Sequence, residues 1–128
     1  MKSFLAALGA IVVTTGFVFA AADAPGGNPT QYLGLLRLTA RYQAEANWDD
    51  AARNAVGSHF RRLQEHAKTG KVILAGRTQE PNDKTMGLVI FEAKDLAEAE
   101  RFMAEDPAVQ AGVMVAEVRP YQVAVMRK

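Results

Sequence analysis

The chain has 128 residues, of which 49% are hydrophobic and 23% are charged, so we expect one compact domain and exclude two. Its 15 lysines and arginines nearly balance 14 acidic residues, which excludes a broad basic surface for nucleic acid. The absence of cysteine excludes disulfides, thiolate catalysis and a lipidated cysteine after a leader.

The first 22 residues have the layout of a secretory signal, with Lys2, an apolar run from Phe4 to Phe19, and small residues up to Ala22. We therefore predict a signal peptide over residues 1–22 and an exported mature protein, either periplasmic or secreted, with no membrane partner after cleavage. An uncleaved membrane anchor is the alternative, because spanning a bilayer takes about 20 apolar residues and this run is nearly that long. Without Lys2 the mature chain has 14 basic and 14 acidic residues, so its formal net charge is 0.

Turn-forming residues dominate 23–30 (DAPGGNPT), which is typical of a flexible tether, and residues 31–128 form the predicted domain. Hydrophobic periodicity and capping residues predict six elements in that domain. In chain order they are a strand over 32–42, a helix over 49–69, strands over 71–77 and 86–93, a helix over 96–105 and a strand over 113–126.

The order β-α-β-β-α-β predicts an α+β, ferredoxin-like fold, in which two helices cover one face of a four-stranded antiparallel sheet. The other face would be left open although the strands are rich in apolar residues, which rarely remain in contact with water over a large patch. A second copy packed sheet against sheet would cover it, so we predict a homodimer. The strand residues that support this prediction are Leu33, Leu35, Val72, Leu74, Leu88, Ile90, Val113 and Val115.

A histidine interrupts the apolar stripe of the first helix. At about 100° per residue, His59 falls between Val56 and Leu63 on the face expected to be buried. An imidazole buried without a hydrogen-bond partner costs free energy that a leucine would not, so we expect a partner for it.

The second helix offers that partner. Asp106 lies on its apolar side, where Pro107 should turn the chain out of the helix in an extended conformation. A carboxylate there can fix one ring nitrogen of His59 and leave the other free to exchange a proton. The alternatives are a purely structural pair, or an Asp106 that only caps the turn after it.

The other histidine does not extend this site into a metal centre. His59 and His66 are seven positions apart, a rise of about 10.5 Å along a helix, so one ion cannot bind both. The i, i+4 spacing of helical zinc pairs is also absent. We therefore predict no metal and no cofactor, and we expect His66 to be a partly exposed surface residue.

Two blocks of the sequence resemble the YciI-like (YCII-related) family of small dimeric α/β-barrel proteins: HFRRLQEHAKTGKVILAG over 59–76 and AEDPAVQAGVMVAEVRPY over 104–121. In that family a histidine precedes a glycine by eleven residues, here His59 and Gly70, with an "AG" soon afterwards. The second block has Asp106-Pro107 followed by a further "AG" and a strand that ends in proline and an aromatic residue.

The resemblance implies a ferredoxin-like subunit, a dimer, and a His-Asp dyad as active centre, which maps here onto His59 and Asp106. Some family members are similar to dehydrochlorinases of chlorinated hydroxyquinols, which implies a lyase- or isomerase-type acid–base catalyst. This chain departs from the family in carrying Arg77 where proline is common after the first "AG". That change either alters the loop over the pocket or brings in a cation, and it makes Arg77 a candidate substrate-binding residue. The leader is a second departure.

The sequence leaves two functional interpretations open. In one, His59 is the general acid/base, oriented by Asp106, for a small enolic or aromatic substrate. In the other, the domain is a non-catalytic dimeric module that binds a small ligand, and the pair only fixes its geometry.

Overall fold

A computed structural model of the chain describes residues 30–81 and 83–128, so the predicted signal peptide and residues 23–29 of the predicted tether lie outside the described residues. The four strands are β1 (Thr30–Leu38), β2 (Val72–Arg77), β3 (Gly87–Ala93) and β4 (Met114–Tyr121). The helices are α1 (Ala40–Gln43), α2 (Asp50–Lys68), α3 (Leu96–Ala104) and α4 (Pro107–Gln110), with a 3₁₀ turn over Glu45–Asn47. Apart from the short α1 and α4, this order confirms the predicted ferredoxin-like fold.

The strands form one antiparallel sheet in the order β2-β3-β1-β4, in which β2 and β3 are consecutive antiparallel neighbours. Burial alternates along the central strand β1. Tyr32 and Leu36 are buried on the helix side, whereas Leu33 and Leu35 between them are only half buried. The sheet therefore has one packed face and one face that no described element covers.

The core lies between the packed face of the sheet and α3. Phe91 of β3 stacks against Phe102 of α3 with ring centroids 4.7 Å apart, and Met103 is almost completely buried beside them. A Cβ at Gly34 would come within 2.7 Å of the sulfur of Met103, so glycine at this position of β1 lets α3 approach the sheet closely.

Capping residues begin the two long helices where the sequence predicts them to begin. The Asp49 carboxylate accepts a hydrogen bond from the Ala52 N–H at the start of α2, and Asp95 does the same with the Glu98 N–H at the start of α3. Each carboxylate satisfies a backbone donor that has no partner within the helix. Both helices therefore start in a register that turns their apolar stripes toward the sheet.

The predicted ends of β1 and β4 were wrong. β1 ends at Leu38 rather than Tyr42, because Tyr42 turns into α1 and packs edge-on against Trp48 with ring centroids 5.7 Å apart. β4 ends at Tyr121 rather than Met126. Tyr121 pairs with Gln31, and only Thr30 precedes Gln31 in β1, so a longer β4 would have almost no residues of β1 to pair with. Thr30, assigned to the tether, already belongs to β1.

Two residues predicted for the open face of the sheet lie elsewhere. Val72 is buried opposite Phe91, because an irregularity between Val72 and Leu74 changes the register of β2. Val113 precedes β4 and is fully buried in a second small cluster with Tyr42. The uncovered apolar face is therefore narrower than predicted, and Ile90 with its cross-strand neighbours Leu33 and Leu74 lies at its centre.

Gly70, two residues after the end of α2, provides a stability test. Gly70 has a φ of +87° and a Cβ there would meet no atom within 4 Å, so an added methyl group acts only through backbone conformation. We expect Gly70→Ala to lower the free energy of unfolding by about 1 kcal/mol, measured by urea denaturation.

Gly76→Ala is the matched control. A Cβ at Gly76 also meets nothing within 4 Å, but its φ is not positive. Alanine there should leave stability unchanged or raise it slightly by restricting the unfolded chain. If Gly70→Ala and Gly76→Ala lowered the free energy of unfolding equally, the positive φ of Gly70 could not be the cause of the loss.

Candidate functional site

A cavity of about 750 Å³ lies where α2 stands over β2 and over the ends of β1 and β3. Its walls are mostly apolar, and His59 contributes a titratable group to them. Such a combination of an apolar cleft and a few polar groups is typical of small-molecule sites. The larger apolar side chains that line it are Leu36, Leu38, Trp48, Val56, Phe60, Leu63, Val72, Ile73, Leu74, Leu88, Val89 and Met114.

His59 lies in the middle of α2 and is 13% exposed at the side chain. Its Nδ1 is 2.7 Å from Oδ2 of Asp106, whereas the ring itself lines the cavity. His59 and Leu63 are four positions apart and therefore lie on the same, inward face of α2. This orientation brings His59 into contact with Asp106, which lies 47 positions further along the chain.

Asp106 occupies the break between α3 and α4 and is completely buried. Its extended conformation, with φ −63° and ψ 131°, is the one that Pro107 favours for the residue before it. One carboxylate oxygen, Oδ1, accepts a hydrogen bond of 2.9 Å from the Ala108 N–H, so Asp106 also caps α4. The two roles considered for Asp106 from the sequence are therefore combined in one side chain, with one oxygen for each.

A third charged group, Arg62, contacts this pair and was not identified from the sequence. Its Nη1 is 3.7 Å from Oδ2 of Asp106, and its Nη2 donates to the Phe102 carbonyl at 2.8 Å. Its guanidinium carbon lies 4.2 Å from the Phe102 ring centroid. Arg62 follows His59 by three positions, and residues with this spacing share a helix face, which is the signal that could have identified it. Lys71 also lies over this ring, with its Nζ 5.1 Å from the Phe102 centroid.

The surroundings of Asp106 keep it ionised. Burial by itself raises the pKa of the carboxyl group, but the hydrogen bond and charge of His59, the Ala108 N–H and the charge of Arg62 together outweigh burial and lower it. An ionised Asp106 accepts a hydrogen bond from the Nδ1–H of His59 and so favours the tautomer in which Nε2 carries a lone pair. The nitrogen that Asp106 does not hold is then able to accept a proton from a molecule in the cavity.

The structure also places the remaining sequence candidates. Arg77, the last residue of β2, is exposed and lines the same cavity as His59. His66 is half buried against the edge of Phe102, 4.9 Å between ring centroids, and does not line the cavity. Burial, with the positive charges of Arg62 and Lys71, lowers the pKa of His66. The prediction that His66 is partly exposed is confirmed.

Within residues 30–81 and 83–128, no group of three or more histidines and carboxylates is arranged to hold a metal ion. The same residues contain no helix that is both long enough and apolar enough to span a bilayer.

A profile of the YCII-related domain matches residues 36–122, which include His59, Arg77 and Asp106 and account for more than half of the chain. The chain belongs to this family. A similar solved structure is that of 5-chloro-2-hydroxyhydroquinone dehydrochlorinase from Burkholderia phenoliruptrix, in complex with 2,5-dihydroxybenzoquinone. It is 17% identical to this YCII-related protein, with a TM-score of 0.48 over 72% of this chain and 93% of that chain. A search of curated proteins found no match.

The buried carboxylate of Asp106 also contributes to the stability of this YCII-related domain. Asp106→Asn keeps an oxygen for the Ala108 N–H, but it removes the negative charge beside His59 and Arg62. We expect the free energy of unfolding at neutral pH to fall by about 2–3 kcal/mol, because a largely buried guanidinium loses its counter-charge. Urea denaturation measures this difference.

The pH dependence of that difference provides a second readout. Because folding lowers the pKa of Asp106, its stabilising contribution is present above the ordinary aspartate pKa of about 3.9 and is lost as pH falls through the lower folded-state value. The difference in the free energy of unfolding between the wild type and Asp106→Asn should therefore shrink in this acid range. Asp95→Asn, at the exposed cap of α3, should change stability by under about 0.5 kcal/mol. A gap that stays constant with pH would contradict an ionised Asp106.

Proposed function

We propose that this YCII-related protein is a small-molecule enzyme in which His59, oriented by Asp106, is the general acid/base for an enolic or aromatic substrate. The observation that carries the proposal is the 2.7 Å contact between Nδ1 of His59, a residue that lines the cavity, and a completely buried carboxylate. A base that is held in one orientation and faces an apolar cleft has the geometry that proton transfer requires.

In the proposed reaction, Nε2 of His59 takes a proton from an acidic C–H or enolic O–H of the substrate and returns it at another atom. Asp106 stabilises the imidazolium that exists between these two steps. Return of the proton to another atom of the substrate is isomerase-type chemistry. If instead a leaving group departs with its electron pair from the enolate, and His59 passes the proton to that group, the reaction is lyase-type, and neither route needs a covalent intermediate. Ser58 is an unsuitable nucleophile, because its hydroxyl accepts a hydrogen bond from the Arg61 guanidinium and adjacent helix positions point about 100° apart.

Arg77 is the proposed substrate-binding residue of this reaction. It lines the cavity with His59, and a guanidinium presents several N–H donors to an oxyanion in a fixed planar arrangement. An enolate formed by loss of a proton to His59 would be stabilised by such a cation. The arginine that departs from the family pattern would thus contribute to this chain's own substrate preference.

The alternative is a non-catalytic module that binds a small ligand in the same cavity. It is supported by the second role of Asp106, which caps α4 and would have to be present even if His59 never exchanged a proton. The two functions predict the same ligand site and differ only in turnover.

We also propose that the protein is exported and forms a homodimer. Export is supported by the arrangement of Lys2, the apolar run and the small residues before Asp23. Dimerisation is supported by the open sheet face, on which Leu74 and Val115 are more than half exposed and no described element packs. Burying such a face against a second copy is a favourable way to remove apolar surface from water.

His59→Gln tests the proposed proton transfer. We expect the wild-type protein to accelerate exchange of the acidic C–H of a small aryl ketone such as 1-indanone for deuterium, followed by ¹H NMR in D₂O. His59→Gln should reduce the acceleration by about 10²- to 10⁴-fold, because glutamine cannot take up the proton.

His66→Gln is the control, because His66 contacts Phe102 and lies outside the cavity lining. It should retain the exchange rate. A wild-type protein that binds aryl ketones without accelerating exchange would favour the binding module over the enzyme.

Ile90→Glu tests the dimer. Ile90 pairs with Leu33 and Leu74 at the centre of the open face, so a charge there should prevent two sheets from packing and yield a monomer in light-scattering measurements. Leu96→Glu, on the exposed surface of α3, should leave the dimer intact. A monomeric wild-type protein would contradict the proposal, as would an Ile90→Glu variant that remains dimeric.

A further inference from the structure

Two basic side chains of α2 lie against the same carboxylate oxygen. Nδ1 of His59 is 2.7 Å from Oδ2 of Asp106, and Nη1 of Arg62 is 3.7 Å from the same atom. Only the first distance is that of a hydrogen bond. Nη1 is buried and has no hydrogen-bond partner among the described residues. The charge of Arg62 therefore acts on Asp106 without displacing the hydrogen bond to His59.

The position of Arg62 is fixed by Phe102 of α3. Its Nη2 is bonded to the Phe102 carbonyl, its guanidinium lies over the Phe102 ring, and its side chain is only 16% exposed. The guanidinium cannot turn toward water without losing both contacts. Burial lowers the pKa of Arg62, but the charges of Asp106 and Glu105 oppose this shift, and an arginine remains charged at neutral pH. A permanent positive charge thus stays beside the carboxylate.

The other charged groups near this cluster are paired, exposed or neutral, and α4 carries none. Lys71 is bonded to Glu98 of α3 at 2.8 Å, so these two charges compensate each other. Glu105 at the end of α3 and Arg77 on the cavity lining are exposed, so water screens their charges. His66 has a lowered pKa, mainly because of burial, and is mostly neutral at neutral pH. The buried groups that set the charge of the cluster are Asp106, Arg62 and His59.

The charge balance of these three groups depends on the protonation of His59. With a neutral imidazole, Arg62 compensates Asp106 and the cluster has no net charge. With an imidazolium, the cluster has one uncompensated positive charge, which is unfavourable where water is excluded, and the guanidinium repels the ring. Without Arg62 the preference would be reversed, because a buried carboxylate alone would hold His59 as its counter-ion.

We propose that Arg62 is a positioning residue of the candidate site, which compensates the charge of Asp106 and thereby keeps His59 unprotonated to lower pH than a His-Asp pair alone would. Asp106 then orients the ring without retaining it as an imidazolium, so Nε2 keeps the lone pair that accepts a proton. This inference rests on the proposed acid–base role of His59. It goes beyond that role by assigning to a third side chain the pH range in which the base is available.

A titration of His59 by ¹H–¹⁵N NMR of the imidazole tests this inference without requiring a substrate. Arg62→Met removes the charge and keeps an apolar chain over Phe102. We expect the pH midpoint of the His59 titration to rise by about one unit in Arg62→Met, because a charge so close to an ionisable group shifts its protonation by at least that much. Arg62→Lys keeps a cation and should titrate nearly as the wild type does.

Arg61→Met is the matched control, because Arg61 is exposed and its guanidinium donates to the Ser58 hydroxyl. It should leave the His59 midpoint unchanged. The inference is overturned if the midpoint does not rise in Arg62→Met, if it rises equally in Arg62→Lys, or if Arg61→Met reproduces the rise. Circular dichroism checks folding. Where Arg62→Met does not fold, Arg62→Gln, which is also uncharged and is able to donate to the Phe102 carbonyl, should show the same rise.

The pH dependence of 1-indanone exchange separates this inference from the proposed enzyme. The exchange rate of Arg62→Met should fall by up to about tenfold more at acid than at alkaline pH, because one unit of midpoint is a tenfold change in protonation equilibrium. A purely structural role of Arg62 would lower the rate equally at every pH, which would contradict the inference. A wild-type protein that accelerates no exchange overturns the enzyme, whereas a raised midpoint in Arg62→Met would still support the charge compensation. Exchange with an unmoved midpoint overturns this inference alone.

Discussion

The hydrogen bond between His59 and Asp106 joins α2 to the break between α3 and α4, and the candidate site is built around it. A carboxylate with no exposed surface is costly unless its charge is compensated, and here the partners are an imidazole, a backbone N–H and a guanidinium. Each partner comes from an element that must be folded before the contact exists. The site and the packing of the helices therefore depend on one another.

The position of Asp106 in the chain explains how one side chain fulfils two roles. Pro107 favours the extended conformation that ends α3, and the same conformation lets Oδ1 reach the Ala108 N–H at the start of α4. With Oδ1 held by the backbone, Oδ2 has a fixed direction toward His59. The carboxylate is thus oriented by local chain geometry, and it in turn orients the ring.

Much of the fold could be predicted because its signals are local. The caps Asp49 and Asp95 and the left-handed Gly70 fix the ends of the helices through bonds and dihedral angles within a few residues. The strand ends at Leu38 and Tyr121 depend instead on which residues find a partner across the sheet, and local composition does not contain that information. Helical periodicity was similarly sufficient to place His59 and Asp106 on facing surfaces.

The parts of the site that could not be predicted are those set by distances between elements. The cavity exists because α2 stands away from the end of the sheet near β2, and no sequence pattern specifies that separation. Arg62 had a usable signal in its spacing from His59, but its charge suggested a solvated position, whereas in the fold Phe102 and Asp106 compensate for its burial.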